Sequence, residues 1–335
     1  MVALAAPCAF ATVDPNVGVA TVPDRRVERL GEMSGSKSLI HATVQFVDIA
    51  GLVKGASRGE GLGNRFLSHI REVDAIVFVL RAFHDDDVPG TDDPVDQLET
   101  LELELTLADI ETLERQLDKR RKAARSDPSV AAEVAATDVA LASLHAGTPL
   151  FRAGIDADTR ALLRPLFLLT NKPAMAVVNI GESQLDEADA IAASVSSALG
   201  EQGAAIAVCV QVEAEAVMLD PQDRAEMLDA YGLGEGALAT FLHGAYRMLG
   251  LRTYLTTGEK ETRAWTFRAG ARAPQAAGVI HTDFERGFIR AECIQAEELI
   301  ECGSWAKARE AGTVRVEGKD YVVCDGDVMD FRFNV

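Results

Sequence analysis

The sequence contains no apolar run that approaches the roughly 20 residues needed for a membrane-spanning helix. Its first ten residues are mildly apolar, but they lack a basic n-region and are too short for a secretion signal. The five cysteines are odd in number and show no C-x-x-C spacing, which favours reduced thiols in the cytoplasm and argues against a zinc site. The six histidines are scattered, so we expect each to be structural.

Positive charge is also scarce. The chain has 33 Lys and Arg against 52 Asp and Glu, a net charge of −19. Residues 253–335 hold 11 basic and 14 acidic residues, so −16 of the total lies in the rest of the chain. An acidic chain is a poor non-specific binder of nucleic acid. We therefore expect no DNA partner, and we expect any surface that faces RNA to be local.

The length of 335 residues and the 48% apolar content predict two or three domains with a sizeable core. Continuous apolar segments at 43–47, 74–80, 173–178 and 205–210 are typical of buried parallel strands. From Thr253 onward, short alternating segments separated by turns indicate a β-rich domain. The pattern therefore predicts an α/β protein.

The most informative stretch is residues 46–66, FVDIAGLVKGASRGEGLGNRF. Asp48 ends an apolar strand and Gly51 follows three residues later. A carboxylate at a strand tip followed by D-x-x-G fits a nucleoside triphosphate site, where the carboxylate holds Mg²⁺ and the glycine N–H contacts the γ-phosphate. D-x-x-G is common, however, and a strand that ends before a glycine-rich surface turn is the alternative interpretation.

The longer string 48–64, DIAGLVKGASRGEGLGN, closely resembles the second switch of the YchF family, which are Obg-related P-loop NTPases. Other landmarks follow in the order of that family, and the resemblance covers essentially the whole chain. These landmarks are FATVDPNVGV at 10–19, NIGE at 179–182, RAW at 263–265, HTDFERGFIRAE at 281–292 and DGDVMDFRFNV at 325–335.

The resemblance implies a parallel sheet of the P-loop NTPase type, a helical hairpin inserted into it and a C-terminal β-grasp domain called TGS. On this basis residues 1–87 and 166–252 form the nucleotide-binding core, 88–165 the helical insertion and 253–335 the TGS domain. In the insertion, a helix over 94–125 and a second segment at 129–146 fit an antiparallel hairpin.

The resemblance also implies roles for the residues around the phosphates. Thr12, in the first switch, and Asp48 are the Mg²⁺ ligands, and Gly51 contacts the γ-phosphate. Leu52 stands where Ras-like proteins place a glutamine that orients water, so another group must orient the water. Without the resemblance, Thr12 is an ordinary threonine beside a turn.

The base is assigned to a second group of residues. Asn179, Ile180 and Glu182 form an N-x-x-E motif in place of the N-K-x-D of GTPases, which implies a preference for adenine. Gln211 and Val212 occupy the second base-contacting loop of the family, which usually begins with Ala or Ser, so this contact is the less specific one.

The G-x-x-x-x-G-K-[ST] phosphate loop with which the family opens is not found. The string GEMSGSKS at 31–38 imitates it, but Ser36 stands where the motif needs glycine and no strand precedes it. We interpret this string as a solvent loop. A start codon assigned too far downstream is our explanation for the missing segment, and a truncated paralogue is the alternative.

Two functions stay open at this point. The resemblance implies a ribosome-associated monomer in the cytoplasm that binds and hydrolyses ATP, or GTP, with Mg²⁺. Its partner is the large ribosomal subunit or the 70S particle, including ribosomal RNA, with no membrane partner. The alternative is a non-catalytic ribosome- or RNA-binding module that acts through the TGS and helical domains. Residues 115–125 hold six basic residues and one acidic residue, and they fit either an RNA contact or a solvated helix end.

We expect the 335-residue chain as written to bind ATP poorly and to hydrolyse none measurably. The phosphate loop supplies a nest of backbone N–H groups, a lysine and an Mg²⁺ ligand that no other segment replaces. Calorimetric titration with Mg-ATP tests this expectation, and low-micromolar affinity would contradict it.

Overall fold

The structure is a computed structural model that describes residues 16–48, 69–86, 88, 90–201, 203–234 and 236–334. The chain divides into two compact units. Unit 1 comprises Met1–Gly18 and Val47–Phe241, and unit 2 comprises Val19–Phe46 and Leu242–Val335.

Unit 1 is built on a parallel sheet of three apolar strands. Its strands, in sheet order, are β4 (Ile76–Arg81), β5 (Ala174–Asn179) and β6 (Ala204–Val208). Two of the predicted strands are confirmed within two residues. The third ends early, because Cys209 has extended backbone and Val210 already begins a helix.

A separate two-stranded sheet pairs β1 (Asn16–Thr21) with β3 (Thr43–Asp48).

The helical hairpin consists of α2 (Pro94–Ala123) and α3 (Pro128–His145). Asp93 caps α2 by accepting a hydrogen bond from the Val95 amide at 2.7 Å, and Pro94 occupies the first turn, where its missing N–H costs nothing. The two helices share an apolar core, which confirms the predicted hairpin. This core includes Leu113, Leu117, Ala136, Ala140, Leu141 and Leu144.

A buried carboxylate ties α2 to the segment that precedes β5. Asp109 is fully buried and accepts hydrogen bonds from the Leu169 amide at 2.9 Å and from the Thr170 amide and hydroxyl, both at 2.7 Å. Burial raises the pKa of Asp109, and these hydrogen bonds oppose the rise. The contact fixes where β5 begins.

Unit 2 contains a mixed sheet of six strands in the order β10-β9-β11-β7-β8-β2. Strand β11 runs parallel to β7 and antiparallel to β9. The antiparallel pairs β7-β8 and β9-β11 are therefore joined by the parallel contact between β7 and β11. The strands are β2 (Leu39–Ile40), β7 (Leu251–Thr257), β8 (Thr262–Arg268), β9 (Phe288–Gln295), β10 (Arg315–Glu317) and β11 (Asp327–Phe333).

Helix α1 (Arg25–Ser34) lies in unit 2, whereas the sequence assigns residues 1–87 to the nucleotide-binding core. Val27 and Leu30 are fully buried in an apolar cluster of this unit, and β2 pairs with β8. The interpretation of residues 31–38 as a solvent loop is therefore wrong for the last turn of this helix. The division into domains otherwise stays a prediction.

The remaining helices are short, and none in the described ranges is both long and apolar enough to cross a membrane. They are α4 (Ala157–Leu163), α5 (Ala188–Leu199), α6 (Val210–Val217), α7 (Pro221–Ala230), α8 (Ala237–Met248), α9 (Ala273–Ile280), α10 (Thr282–Arg286), α11 (Ala296–Cys302) and α12 (Trp305–Glu310), with 3-10 turns at Arg164–Leu166 and Glu182–Glu187.

Helix α2 also carries a second buried carboxylate, of which one oxygen lies beside a cation and the other lacks a hydrogen bond in the described part of the chain. Glu102 is 4% exposed, and its Oε2 lies 3.2 Å from the Arg152 guanidinium. Its Oε1 has no hydrogen-bond partner among the described residues. Burial raises the pKa of Glu102 to about 7, although Arg152 pulls it down.

We predict that Glu102 makes unit 1 less stable as the pH rises from about 4.5 to 7. In this window the native state holds a proton that the unfolded state has released, so the free energy of unfolding falls with pH, by up to roughly 3 kcal/mol. Glu102→Gln should remove this loss, so its stability relative to the parent should increase between pH 5 and 8 in urea unfolding. The control is Glu111→Gln, an exposed glutamate of the same helix. An equal parent–variant difference at both pH values would contradict the prediction.

Candidate functional site

The carboxyl ends of β4, β5 and β6 meet at one edge of the sheet. Arg81 lies beside Asn179, and Asn179 lies beside Val208, so the three strands end level with one another. Ligands of open parallel sheets bind outside this edge. The predicted base-binding residues follow β5 and β6 there.

Asn179 joins two elements of this edge. Its backbone oxygen accepts a hydrogen bond from the Ala82 amide at 2.9 Å. Its side-chain Oδ1 accepts one from the Val210 amide at 3.3 Å, which is the first residue of α6. Because the oxygen end of the amide is held against the helix N-terminus, the orientation of the side chain is fixed.

Ile180 and Gly181 continue the chain in a constrained path. Ile180 is 2% exposed, and its amide donates to the Val208 oxygen at 3.0 Å, so its side chain belongs to the core. Gln184 accepts from the Gly181 amide at 2.9 Å and donates to the Ala82 oxygen at 2.8 Å. Any contact of Ile180 with a ligand must therefore come from its backbone.

Glu182 is exposed at the start of a 3-10 turn, and its Oε1 accepts a hydrogen bond from the Tyr231 hydroxyl at 3.0 Å. This hydrogen bond and the adjacent negative charge raise the pKa of Tyr231. The carboxylate therefore faces solvent at the sheet edge, as a base-reading acceptor must, and it has a partner that the sequence did not reveal.

Gln211 and Val212 lie in the first turn of α6, not in a loop. Val212 is 2% exposed and packs in the core of unit 1, so its side chain is turned away from the edge. Gln211 is exposed, and its Nε2 lies 3.4 Å from the Glu215 Oε1. The structure thus leaves Gln211 as the accessible side chain of this pair.

The predicted phosphate-side residues are only partly described. Asp48 is exposed at the carboxyl end of β3. Thr12, Gly51 and Leu52 lie outside the described residues. No group of three metal-binding side chains occurs in the part of the chain that the structure covers. Mg²⁺ is typically held by one or two carboxylates together with phosphate oxygens and water, so a single exposed carboxylate fits this role.

An Asn-Lys pair at 171–172, upstream of the N-x-x-E motif, has a structural role. The Lys172 ammonium donates to the backbone oxygens of Arg71, at 3.0 Å, and Val73, and burial lowers its pKa. Asn171 donates to the Arg160 oxygen at 3.3 Å. These contacts hold the chain just before β5, so this pair has a structural role.

Sequence reasoning missed two residues near the edge, Tyr231 and Glu213. Glu213 is 8% exposed, and its Oε1 accepts from the Ala237 amide at 2.5 Å. A signal was present for Glu213, because a glutamate between the apolar residues Val212 and Ala216 breaks the buried face of a helix. Tyr231 follows a helix with no distinguishing pattern, and only the fold brings it to Glu182.

Residues 251–334 match the family model YchF-GTPase_C, described as a protein of unknown function (DUF933). Residues 2–139 match MMR_HSR1, described as a 50S ribosome-binding GTPase. The chain is also 44% identical, over 333 residues, to the Ribosome-binding ATPase YchF of Bacillus subtilis (strain 168), with 97% of this chain and 91% of the relative covered. The chain belongs to the YchF family.

Other relatives agree with this assignment. The protein of the same name from Escherichia coli O157:H7 is 44% identical over 336 residues, with the same shares of both chains covered. The solved structure of the Schizosaccharomyces pombe YchF GTPase superposes with a TM-score of 0.84 at 33% identity, covering 96% of this chain and 89% of that one. These matches confirm the family and the P-loop NTPase fold, whereas the roles of individual residues stay predictions.

Proposed function

We propose that the carboxyl edge of the β4-β5-β6 sheet forms the base-recognition part of a site that prefers ATP to GTP. Hydrolysis to ADP and phosphate at this site needs the family's phosphate loop, and we propose that it is impaired in this chain. One observation carries the proposal: the fold presents the N-x-x-E motif at this edge, with Asn179 oriented by α6 and the Glu182 carboxylate exposed. The names of the relatives, which include both ATPase and GTPase, support nucleotide chemistry but do not show whether the base is adenine or guanine.

The choice of adenine rests on the side chain at the fourth position of the motif. In N-K-x-D, the aspartate accepts hydrogen bonds from both N1–H and N2–H₂ of guanine. Adenine offers a single donor group, its exocyclic amine, on the corresponding edge. A glutamate is one methylene longer, so Glu182 carries its carboxylate to a different position from that of the aspartate.

The proposed chemistry at the phosphates uses a second set of residues. Asp48 and Thr12 would hold Mg²⁺, which neutralises charge on the phosphates, and the Gly51 amide would contact the γ-phosphate. Leu52 has no polar group with which to orient water, so we propose that a backbone group, the substrate or a partner does so.

We predict that Glu182→Gln raises the preference for ATP over GTP, because the amide keeps one acceptor oxygen for the adenine amine and puts an N–H₂ donor where guanine N1–H and N2–H₂ need a second acceptor. Competition between the two nucleotides measures the ratio of affinities, in this chain at millimolar nucleotide and in a chain extended upstream with the family's phosphate loop. Glu215→Gln, an exposed glutamate on α6, is the matched control. A parent protein that binds both nucleotides equally, or prefers GTP, would show that Glu182 does not select the base.

We also propose that the chain associates with the ribosome and contacts ribosomal RNA through the TGS domain, residues 253–335, and through the basic residues at the end of α2. At this helix end Lys119, Lys122 and Arg125 are exposed and have no carboxylate partner among the described residues. Lys119 and Lys122 lie three residues apart on one side of α2, and Arg125 lies in the turn that follows the helix. They can therefore reach phosphates that the acidic remainder of the chain would repel.

Not every basic residue of this helix end is available. Arg120 pairs with Glu133, and Arg121 pairs with Asp138 at 2.9 Å, so both stabilise the hairpin across its two helices. Reversal of these two charges would disturb the hairpin as well as the surface. The three exposed residues are therefore the informative set for a charge-reversal experiment.

Replacing Lys119, Lys122 and Arg125 together by glutamate should weaken co-sedimentation with ribosomes and flatten its salt dependence. Each neutralised phosphate contributes about 0.7–0.9 to the slope of log affinity against log salt concentration. The matched control exchanges the same three residues between Lys and Arg, which keeps the charge. If the glutamate variant co-sediments like the parent across a salt series, the helix end is a solvated surface.

A non-catalytic ribosome- or RNA-binding module remains the second candidate, and the exposed cations favour it equally. It predicts co-sedimentation that does not depend on nucleotide. In either case we propose a monomer in the cytoplasm, a location that the free thiols of Cys209, Cys293, Cys302 and Cys324 support.

A further inference from the structure

The turn between α7 and α8 holds Tyr231 against the base-reading carboxylate. The described residues of this turn, 231–234 and 236, follow α7, and the Tyr231 hydroxyl donates to the Glu182 Oε1 at 3.0 Å. Tyr231 is 38% exposed, so the ring is not buried by the protein. The raised pKa keeps the phenol protonated at neutral pH, and the hydroxyl therefore acts as the donor.

The start of this turn is fixed to α7. The Tyr231 amide donates to the Met227 oxygen at 3.2 Å, and the Leu233 amide donates to the Leu228 oxygen at 2.8 Å. Leu233 and Met227 both pack against the core of unit 1. The Tyr231 backbone is therefore held in place, and its side chain reaches Glu182 from an anchored position.

The far end of the turn is fixed by Glu213. This buried glutamate accepts from the Ala237 amide, the first residue of α8, and lies directly against Gly236. Gly236 has φ +92°, and a Cβ there would stand 3.0 Å from the Glu213 Oε1, so only glycine fits without strain. The start of the turn is thus tied to α7 and its far end to α6.

The Tyr231 hydrogen bond changes what the Glu182 carboxylate can accept. A carboxylate recognises two adjacent donors with one hydrogen bond to each oxygen, the arrangement that guanine N1–H and N2–H₂ require. The phenol already uses one lone pair of Oε1 and so weakens this oxygen as an acceptor, whereas Oε2 keeps both of its lone pairs. One fully available oxygen suits the one amino group of adenine, and a guanine donor at Oε1 makes a weaker hydrogen bond, which costs binding free energy.

We propose that Tyr231 is a specificity-determining residue, which occupies the Glu182 Oε1 and so disfavours guanine nucleotides at this site. The inference rests on the proposed function of Glu182 as the base-reading acceptor. It adds a residue outside the N-x-x-E motif to the selection of the base.

The test is Tyr231→Phe, which removes only the hydroxyl. Affinities for AMP, GMP and IMP, read by ligand-detected NMR in the millimolar range, should show GMP binding improved about fivefold relative to AMP, the equivalent of one hydrogen bond. IMP, which has N1–H but no N2 amine, should gain less than GMP. Monophosphates are used so that the readout depends on the base and little on the phosphate site. Circular dichroism melting should match the parent.

Glu182→Gln separates the two possible failures. If this variant alters the ratio of AMP to GMP affinity but Tyr231→Phe does not, Tyr231 has no part in selection and the proposed function stands. If neither variant alters the ratio, or if no nucleotide binds in the millimolar range, the base site itself is wrong and the inference fails with it. In a double variant with Glu182→Ala, Tyr231→Phe should have no further effect, because the group that accepts from the hydroxyl is gone.

Discussion

The common register of three parallel strands is the constraint on which the candidate site depends. Arg81, Asn179 and Val208 end level with one another, and two backbone hydrogen bonds continue the register just past the strands. A slip of one residue would turn the Asn179 side chain to the opposite face of the sheet and the buried Ile180 outward. The positions of Asn179 and of the residues that follow it, to which base reading is assigned in the proposed function, depend on this alignment.

Buried polar contacts maintain the alignment at the other end of β5. Asp109 holds the segment at 169–170, and Lys172 holds the chain at Arg71 and Val73. Each group satisfies backbone atoms that would otherwise be buried without partners, so the loss of either one would cost more than a surface contact. The residues that define where β5 begins thus also define where its recognition motif lies.

The sequence predicted the strands and the helical hairpin because their patterns are continuous. The runs at 74–80 and 173–178 are apolar throughout, and Pro94 marks the start of the long helix. It missed α1, whose short buried face, Val27 and Leu30, lies between charged residues. Apolar periodicity over ten residues is too short to distinguish a helix from a loop when the helix packs against a distant part of the chain.

For the site, the sequence located the motif but not its neighbours. Asn179 and Glu182 are recognisable because they follow a strand, and the family match carries their predicted role. The pairing of Tyr231 with Glu182 joins residues 49 positions apart, and no local pattern encodes such a contact. For Val212 the sequence assigned a position in a base-contacting loop, but the residue lies on the buried face of a helix.

The paired and unpaired cations of α2 show the same limit of sequence reasoning. Six basic residues in 115–125 form one cluster in the sequence, but the hairpin uses Arg120 and Arg121 for its own ion pairs. Only the packing of α2 against α3 separates the charges that stabilise the fold from those that face solvent. A surface for an RNA partner is therefore smaller than the sequence indicates.

The most direct measurement is a crystal structure of the protein grown with an adenine nucleotide at millimolar concentration. The base should lie outside the carboxyl ends of β5 and β6, with its exocyclic amine within hydrogen-bond distance of the Glu182 carboxylate and its ring near Asn179. A base bound elsewhere, or bound at this edge without contact to either side chain, would contradict the account.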